Sequence, residues 1–470
     1  MTATLDAAVD CAVSWAGPVD LPLHDELDVQ AACGIMHVNG RRRGTPAPLA
    51  FDYASLTAGL LAVQGGLAAR LGRMRGVPIG RVSTSVAQAA LLSVSQYVAA
   101  ATTEDGDVFG GPGGPPFTSA DGVRFEIETL HAEPWQRFWS RLGAPDTAVR
   151  RGWRPFQHRF ATATCPLPVD LHEATRRWGF GDLVAHAEAA DVSVMAVSAT
   201  WATPVPPPWH VTPLAAPAAQ PGLGSGAGAP LDGLVVVESC RRVQGPLAGH
   251  LLRLLGATVI RVEPPDGDPL RWVPPTSRGC SARFLALNRG KRVVEADITS
   301  VRGRESVCEL VAAADVFLHN WAPGKAEALA LAADDLARVR PGLVYAQASG
   351  WGDRLGPRPP VGTDYVVQAY SGMAARGPSL MTLTDVLGGV VSATGVLAGL
   401  TARARTGCGQ RVDSSLLSAA MTGRHARPVA RVAPAVDVCT DLAALARDPR
   451  FARAVEWDGC CFVRAPWEFT

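Results

Sequence analysis

Short apolar segments rich in β-branched residues alternate with amphipathic segments between residues 231 and 350. The run LVVVES at 234–239 is typical of a buried strand, and PLAGHLLRLLGA at 246–257 has the spacing of a helix that packs on a sheet. Further strands are predicted at 258–263, 291–297, 315–320 and 343–350, and a long helix over 385–405. Alternating strands and helices form parallel sheets. The alternation predicts an α/β fold with a doubly wound, Rossmann-like parallel sheet.

The segment 204–230 divides the chain into two parts. Its Pro, Gly, Ala and Ser residues bury too little apolar surface to become ordered, so the composition predicts a flexible linker. Residues 231–430, the C-terminal part, are expected to contain the sheet, and residues 431–470 to form a closing segment. Residues 1–203, the N-terminal part, lack the alternating series and are expected to form a smaller α+β domain.

Two segments share one pattern, which predicts a rearranged internal duplication. Asp52 precedes a Gly/Ala-rich helical run, an Arg-rich end and the restart RVSTS, while Asp385 precedes a similar run and the restart RVDSS. The loop GGPGGPP follows the first copy, and then FTSADGVRFEIETL. The Asp121-Gly122 pair within this last run predicts a hairpin turn.

The composition argues against several classes of function. The chain has 44 basic and 43 acidic residues without a basic block, so neither nucleic acid nor an anionic membrane is an expected partner. Its start does not resemble a signal peptide, and no apolar run has the length of a membrane span. The ten cysteines form no CxxC pair, and the histidines show no paired spacing, so no metal site is predicted. A reducing cytoplasm is the expected location.

Blocks spread over residues 231–421 resemble the class III, CaiB/BaiF-type CoA-transferases. They include RRVQGPLAGHLLRLLGATVIRVEPPDGDPLR, ALNRGKRVVEADI, ADVFLHNWAPG and TGCGQRVDSSLL, in the order of the family. The resemblance implies an enzyme that moves coenzyme A between an acyl-CoA thioester and a carboxylic acid. Coenzyme A is then a substrate, and no permanently bound cofactor is implied. Family members form interlocked dimers, and this chain is rearranged relative to them. We therefore expect a monomeric pseudo-dimer or a homodimer.

Asp385 matches the catalytic aspartate of the family, just before the run GGVVSATGVLAGL. The resemblance implies that its carboxylate attacks the thioester to give a mixed anhydride, which CoA then converts to an aspartyl-CoA thioester. Gly388 and Gly389 are expected to allow close approach and to expose N–H groups. By itself the local sequence favours an ordinary helix cap at Asp385. The surrounding family blocks favour a catalytic role instead. For Asp52, which has no preceding strand series, the helix cap is the favoured interpretation.

Several other residues are candidates for the CoA site, with surface charge or core packing as the alternative for each. They are Val243, Gln244, Arg261, Asn288, Arg292, Asn320, Trp321 and Trp351. The glycines of one loop resemble the family's glycine loop, which closes over intermediates, and a simple spacer is the alternative. These candidate lid residues are Gly110, Gly111, Gly113 and Gly114.

Two other functions stay open. An acyl-CoA isomerase or racemase is disfavoured, because the racemases' GHD is Gly362-Thr363-Asp364 here and lacks the histidine. A non-catalytic CoA-binding remnant is favoured by a missing small residue after Gln244 and by Ala328, where the family has Arg. It is opposed by the retained nucleophile. A dinucleotide enzyme is not expected, because GxGxxG is absent.

Overall fold

The computed structural model describes residues 9–107, 109–217, 225–226, 228–429 and 432–470. The strands and helices up to the main sheet's first parallel strand are β1 (Asp10–Ser14), α1 (Glu26–Ala32), α2 (Ile35–Gly40), α3 (Tyr53–Met74), β2 (Arg81–Ser85), α4 (Val86–Ala101), β3 (Phe117–Thr118), β4 (Arg124–Glu128), α5 (Ala132–Arg141), α6 (Asp146–Thr162), α7 (Val169–Thr175), α8 (Phe180–Glu188), β5 (Ser193–Ala196) and β6 (Trp209–Pro217).

The remaining elements carry the alternating series and the end of the chain. They are β7 (Val235–Ser239), α9 (Gln244–Leu254), β8 (Thr258–Glu263), β9 (Thr276–Ser277), β10 (Cys280–Ser281), α10 (Ala282–Asn288), β11 (Arg292–Glu295), α11 (Val301–Ala312), β12 (Val316–His319), α12 (Lys325–Ala328), α13 (Ala333–Val339), β13 (Val344–Ser349), α14 (Asp364–Ser371), α15 (Met373–Arg376), α16 (Leu383–Thr406), β14 (Cys408–Ser415), α17 (Leu416–Thr422), α18 (Leu442–Arg447), β15 (Val455–Asp458), β16 (Cys460–Val463) and β17 (Glu468–Phe469).

Seven strands form the main sheet, in the order β11-β8-β7-β12-β13-β14-β6. The first six are mutually parallel, and β6 pairs antiparallel with β14. The predicted α/β class and the parallel strand series are confirmed. The direction of winding reverses between β7 and β12, so the turns after these two strands lie side by side. Ligands of open α/β sheets bind at such a point.

Part of the predicted linker is a strand. Trp209–Pro217 forms β6 and covers the free edge of β14, with Val211 opposite Val412. Proline is tolerated here because an edge strand pairs on one side only. The Pro-rich composition concealed this strand, which needs a partner distant in sequence. Residues 218–224 and 227, also within the predicted linker, lie outside the described residues.

Helix α16 is the centre of the fold and packs against α9, α3 and β14. Its glycines permit close packing, since a Cβ at Gly395 or Gly399 would lie 2.9 Å or 2.7 Å from Val412. Among the described residues it is the one helix with the length and hydropathy of a membrane span, and 89 % of that window is buried within the protein. Its apolar character therefore reflects a core position.

The N-terminal part contains a small α+β unit. Strands β3, β4 and β5 form one sheet, and helices α5 to α8 are interleaved with them in the chain. The predicted hairpin is confirmed, because β3 and β4 pair antiparallel and Gly122 adopts a φ of 80° between them. Glycine is favoured there because a left-handed backbone costs it no Cβ clash.

The duplicated segments have similar local geometry at their restarts. Ser85 ends β2 and caps α4, with φ −144° and ψ 160°. Ser415 ends β14 and caps α17, with φ −149° and ψ 161°. In both cases the serine hydroxyl accepts a hydrogen bond from the third residue of the helix that follows. The duplication itself stays a prediction, which this geometry supports.

The two parts of the chain share a buried ion cluster. The carboxylate of Asp107 binds Arg41 at 3.0 Å and Arg283 at 2.6 Å, and all three side chains are at most 5 % exposed. The closing segment also returns to the N-terminal part, where the Trp467 indole donates to the carbonyl of Leu61 at 2.8 Å. The N-terminal and C-terminal parts therefore pack as one body around α3, α4 and α16.

Candidate active site

Asp385 lies in the first turn of α16. The helix begins at Leu383 after the N-cap Thr382, so Asp385 is its third residue rather than its cap. Its backbone N–H donates to the carboxylate of Asp364 at 2.7 Å. Its side chain is partly exposed, although its neighbours in the helix are buried. The helix-cap alternative is therefore wrong for Asp385.

A second carboxylate lies directly behind Asp385. Asp364 is only 2 % exposed and also accepts a hydrogen bond from the Gln368 amide. Burial raises the pKa of both carboxyls, and the negative charge of Asp364 further raises the pKa of Asp385. The positive charge of Arg242 and an N–H from Gln244 oppose this increase in the pKa of Asp385. Arg242 and the Gln244 N–H thus favour the ionised form of Asp385, whereas burial and the charge of Asp364 oppose it.

The turn between β7 and α9 presents its residues towards Asp385. Arg242 adopts a left-handed backbone with φ 66°, a conformation that is unusual for a residue other than glycine. The Asn320 amide fixes this turn, because it accepts from the Arg241 N–H at 2.9 Å and donates to the Arg241 carbonyl at 2.8 Å. Of the predicted CoA contacts, Asn320 and Val243 are therefore brought together at this turn. Their contact with CoA stays a prediction.

Gln244 supplies the backbone donor to Asp385. It begins α9, which lies close to α16 because Gly388 and Gly389 have no side chains. A Cβ at Gly388 would lie 3.0 Å from Gln244, and one at Gly389 would lie 2.8 Å from Leu247. The expected close approach is confirmed. The expected exposure of the glycine N–H groups is wrong, since both residues lie beyond the first turn, where N–H groups are bonded within the helix.

Glu128 brings the N-terminal part into the site. Its carboxylate accepts a hydrogen bond from the Thr363 hydroxyl and pairs with Arg159 at 2.9 Å. Its charge also raises the pKa of Asp385. We did not predict this contribution. The run FEIE could have indicated it, because alternation along a strand places both glutamates on one face between apolar residues.

Replacing Glu126 by Gln is expected to stabilise the protein at alkaline pH. Glu126 is 5 % exposed, and its Oε2 has no hydrogen-bond partner among the described residues. Burial raises its pKa to about 8, against the opposing charges of Arg159 and Arg42. The folded-state pKa exceeds the unfolded one, so ionisation of this carboxyl removes stability as pH rises towards about 8. The gain in Tm of Glu126→Gln over wild type should therefore increase by a few °C between about pH 5 and pH 8.

The matched control for this prediction is the exposed Glu104. Its substitution by Gln should shift Tm by a similar small amount at each pH, because water already solvates its charge. Melting curves recorded by circular dichroism across this range provide the measurement. A Tm difference for Glu126→Gln that does not change with pH would contradict the raised pKa.

Arg261 belongs to a buried ion cluster. Its side chain is 1 % exposed, and its three guanidinium nitrogens bind Glu238, Glu263 at 2.9 Å and Asp268 at 2.5 Å. The Lys291 ammonium also binds Glu238, at 2.7 Å. Because every nitrogen of Arg261 is already paired with a carboxylate, this geometry does not support its predicted contact with CoA.

Both predicted tryptophans are packed in the interior. Trp351 is 4 % exposed, and its indole N–H donates to the carbonyl of Pro360 at 2.8 Å. Trp321 is 9 % exposed and donates to the hydroxyl of Ser239 at 3.2 Å. Core packing, the alternative for these residues, accounts for both of them. A buried indole N–H is normally satisfied in this way.

The last two predicted CoA contacts differ in their environments. Asn288 is buried, accepts from the Lys291 ammonium at 2.9 Å and donates to the Phe284 carbonyl at 3.0 Å. Arg292 is exposed on the edge strand β11. Arg292 is thus open to an anionic ligand, whereas Asn288 is already bonded within the protein. A contact of either residue with CoA stays a prediction.

The glycine loop is largely exposed at the surface of the N-terminal part. Gly113 donates its N–H to the carbonyl of Arg42 at 3.0 Å. The Arg42 guanidinium in turn donates to the carbonyls of Pro115 and Pro378, each at 2.8 Å. The loop is therefore connected through Arg42 to the segment that leads into α16. Its role as a lid stays a prediction for the four residues concerned, Gly110, Gly111, Gly113 and Gly114.

Asp52 does not cap α3 through its side chain. Its Oδ1 accepts from the backbone N–H of Arg427 at 2.6 Å, so it holds a distant segment of the chain. The first turn of α3 instead donates to Glu26, from the backbone and the hydroxyl of Ser55 at 2.8 Å and 2.6 Å. Ser55 is the third residue of α3, as Asp385 is of α16. The residue that corresponds to Asp385 by position is thus Ser55. Asp52 is the N-cap residue of α3, as predicted, although its side chain makes no capping hydrogen bond.

The family model for CoA-transferase family III matches two segments of the sequence, residues 17–204 and 231–436. This chain belongs to CoA-transferase family III. Its curated relatives within the family include the succinyl-CoA:glutarate CoA-transferase of Mus musculus, which is 36 % identical over 199 residues. That alignment covers 40 % of this chain and 46 % of the relative. The predicted family is confirmed.

Two further relatives carry related names. The acetyl-CoA:oxalate CoA-transferase of Acetobacter aceti is 36 % identical, over 40 % of this chain and 51 % of its own length. A probable fatty acyl-CoA transferase of Mycobacterium tuberculosis is 37 % identical, over 41 % of this chain and 52 % of its own length. The family III chain therefore spans about half the length of the curated relatives that it matches.

A solved CAIB/BAIF family protein from Brucella suis is 37 % identical to this chain. The match covers 42 % of the family III chain and 55 % of the solved chain, with a TM-score of 0.38.

Proposed function

We propose that this protein transfers coenzyme A between an acyl-CoA thioester and a carboxylic acid, with Asp385 as the nucleophile. The observation that carries the proposal is the position of the half-buried Asp385 beside the Gln244 N–H and the Arg242 charge. A carboxylate that attacks a thioester needs access to the substrate and donors that stabilise the oxygen on which charge develops. The turn between β7 and α9 supplies two such groups, the backbone N–H of Gln244 and the guanidinium of Arg242.

The reaction has four balanced steps. The Asp385 carboxylate attacks the thioester carbonyl, the C–S bond breaks, and CoA leaves as a thiolate. The thiolate attacks the aspartyl carbonyl of the resulting anhydride, and the donor acid leaves as a carboxylate. An acceptor carboxylate then attacks the aspartyl-CoA thioester and again releases the thiolate. Attack of the thiolate on the acceptor carbonyl of the new anhydride gives acyl-CoA and restores Asp385.

The direct test is detection of the covalent intermediate. The purified protein is incubated with a series of acyl-CoA thioesters, treated with borohydride or hydroxylamine, and digested for mass spectrometry. The proposal expects a modification at Asp385 that depends on the thioester. A modification at a different residue, with Asp385 unmodified, would assign the chemistry elsewhere.

We also propose that one chain combines complementary portions of the two subunits of the interlocked family dimer. These portions together form one active site. Support comes from the family model, which matches two separate segments, and from Glu128, which reaches the site from the N-terminal part. In the N-terminal copy, Ser55 takes the position of Asp385, and Glu26 accepts the hydrogen bonds that Ser55 donates in the first turn of α3. Light scattering on the purified protein should give the mass of one chain. Titration with a trapping substrate should give one modified aspartate per chain.

A two-base racemase is the weaker candidate. Thr363 replaces the histidine, and its hydroxyl is bonded to Glu128. A threonine hydroxyl does not titrate near neutral pH, so it is a poor proton acceptor for this chemistry. A racemase would exchange deuterium from solvent into the acyl-CoA, which the transferase mechanism does not do.

The rate of CoA transfer is expected to rise with pH on the acid side of its profile, because the nucleophile is the ionised form of Asp385. Asp364 raises the pKa of Asp385 by its charge. Replacement of Asp364 by Asn removes this charge and leaves an oxygen that is able to accept the Asp385 N–H. The acid limb of kcat/KM should therefore move to lower pH in Asp364→Asn. An acid limb that stays at the wild-type position would contradict this coupling.

A further inference from the structure

The first turns of the two long helices, α16 and α3, are capped by carboxylates from other helices. The N-cap residues of both helices make no capping hydrogen bond through their side chains. Asp364 of α14 accepts instead from the backbone N–H of Asp385 at 2.7 Å. Glu26 of α1 accepts in the same way from the N–H of Ser55 at 2.8 Å. Because a helix leaves its first N–H groups without partners, these carboxylates stabilise the first turn of each long helix.

A glutamine amide holds the carboxylate that caps α16. The Nε2 of Gln368 donates to the carboxylate of Asp364 and, at 3.1 Å, to the carbonyl of Met381. Gln368 follows Asp364 by four residues in α14, so the two side chains lie on one face of that helix. Met381 lies two residues before the start of α16. The amide therefore connects the capping carboxylate to the backbone that leads into α16.

The N-terminal part repeats this arrangement. The Nε2 of Gln30 donates to Oε1 of Glu26 at 2.8 Å and to the carbonyl of Phe51 at 3.2 Å. Phe51 lies two residues before the start of α3, as Met381 does before α16. The two arrangements differ in the residue whose N–H is capped, which is Ser55 in α3 and carries no carboxylate. The N-terminal arrangement is thus a built-in control for the one beside Asp385.

We propose that Gln368 is a positioning residue for CoA transfer, which orients Asp364 so that this carboxylate holds Asp385 in the first turn of α16. This inference rests on the proposed function. Gln368 is 2 % exposed, so it acts through Asp364 rather than on a substrate. The placement of a nucleophile affects the rate strongly, because a small displacement from the geometry of attack is costly.

The same hydrogen bond affects the charge beside Asp385. Burial raises the pKa of Asp364, and the hydrogen bond from Gln368 opposes this increase. Without that bond Asp364 should stay neutral over a wider range of pH, and Asp385 should then ionise at lower pH. A variant of Gln368 leaves the other charged or titratable groups that act on the two carboxyls unchanged. These groups are Arg242, Glu128, Tyr53, Tyr97 and Tyr365.

Gln368→Met tests the proposal in the full-length protein, because Met keeps the length of the side chain and removes the donor. The probe is the acyl-CoA thioester that modifies Asp385 in the wild-type trapping experiment. Its rate of reaction with Asp385 should fall about tenfold or more at the pH where the wild-type rate reaches its plateau. The acid limb of the rate should move to lower pH. A lower Tm with the wild-type rate and the wild-type acid limb would overturn the proposal.

Gln30→Met is the matched control. Gln30 also accepts the N–H of Leu49 at 2.8 Å, so this variant should lower Tm at least as much as Gln368→Met does. It should leave the reaction rate of Asp385 within about twofold of wild type, with the acid limb in place. An equal loss of rate in both variants would overturn the proposal. If a Met variant does not fold, Gln368→Asn and Gln30→Asn, which shorten the side chain by a methylene, should give the same contrast with smaller losses.

Hydrogen exchange followed by mass spectrometry separates this inference from the proposed function. Gln368→Met should speed exchange in the first turn of α16 about fivefold or more and leave the first turn of α3 unchanged, with the reverse in Gln30→Met. If this pattern is found but no acyl-CoA modifies wild-type Asp385, the proposed function fails and the placement of Asp385 by Gln368 stands. If Asp385 reacts at the wild-type rate in Gln368→Met, the positioning role fails and the proposed function stands.

Discussion

Replacement of Asp385 by Asn should abolish CoA transfer, with a loss of at least about a thousandfold in kcat. The amide has nearly the same shape as the carboxylate, but it does not form the anhydride. It also removes a carboxyl whose pKa is raised by burial and by Asp364, so we expect no loss of thermal stability. Initial rates with an acyl-CoA donor and an acid acceptor provide the measurement.

Asp52→Asn is the matched control for this prediction. Asp52 begins the similar segment in the N-terminal part, and its Oδ1 accepts a hydrogen bond from the Arg427 N–H. An Asn side chain keeps an oxygen for this bond. This variant should keep transfer within about threefold of wild type, because its carboxylate has no covalent role. Transfer by Asp385→Asn at the wild-type rate would remove Asp385 as the nucleophile. A complete loss in Asp52→Asn would point to a second site in the N-terminal part.

Replacement of Arg261 by Met should destabilise the protein by about 3–5 kcal/mol, because one partner of a buried ion cluster is removed. Glu238 would then keep Lys291 as a partner and Glu263 would keep Arg271, whereas Asp268 would lose its guanidinium partner. Denaturant unfolding at neutral pH provides the measurement. We expect a loss of stability as the primary effect, with any change in CoA affinity following from it.

The control for Arg261 is an arginine in an exposed pair. Arg411 binds Asp413 at 2.9 Å with side chains 45 % and 37 % exposed, so Arg411→Met should cost less than about 1 kcal/mol. If Arg261→Met unfolds at the wild-type denaturant concentration and binds CoA weakly, Arg261 contacts CoA after all. The ion cluster would then contribute little to stability.

The sequence predicted the parts of the fold that depend on local pattern. Strand 258–263 was placed with its observed bounds, because a β-branched run between a helix end and a Pro-rich turn has few alternatives. The long helix was predicted over 385–405 and begins at Leu383. The prediction missed β6, since a Pro-rich segment forms a strand here only by pairing with β14. Pairing between strands that are distant in sequence cannot be predicted from local hydrophobic periodicity.

For the site, the sequence was enough to predict the family, the turn at Gln244 and Asp385 as the proposed nucleophile, because these residues lie in contiguous blocks with a characteristic order. Only the tertiary structure decided which charges surround Asp385. Asp364, Glu128 and Arg242 come from three different elements, and their effect on the pKa of Asp385 depends on distance and burial. Burial also decided that Arg261 pairs with carboxylates inside the protein. A sequence shows which groups carry charge, but the free energy of a charge is set by the neighbours that folding places around it.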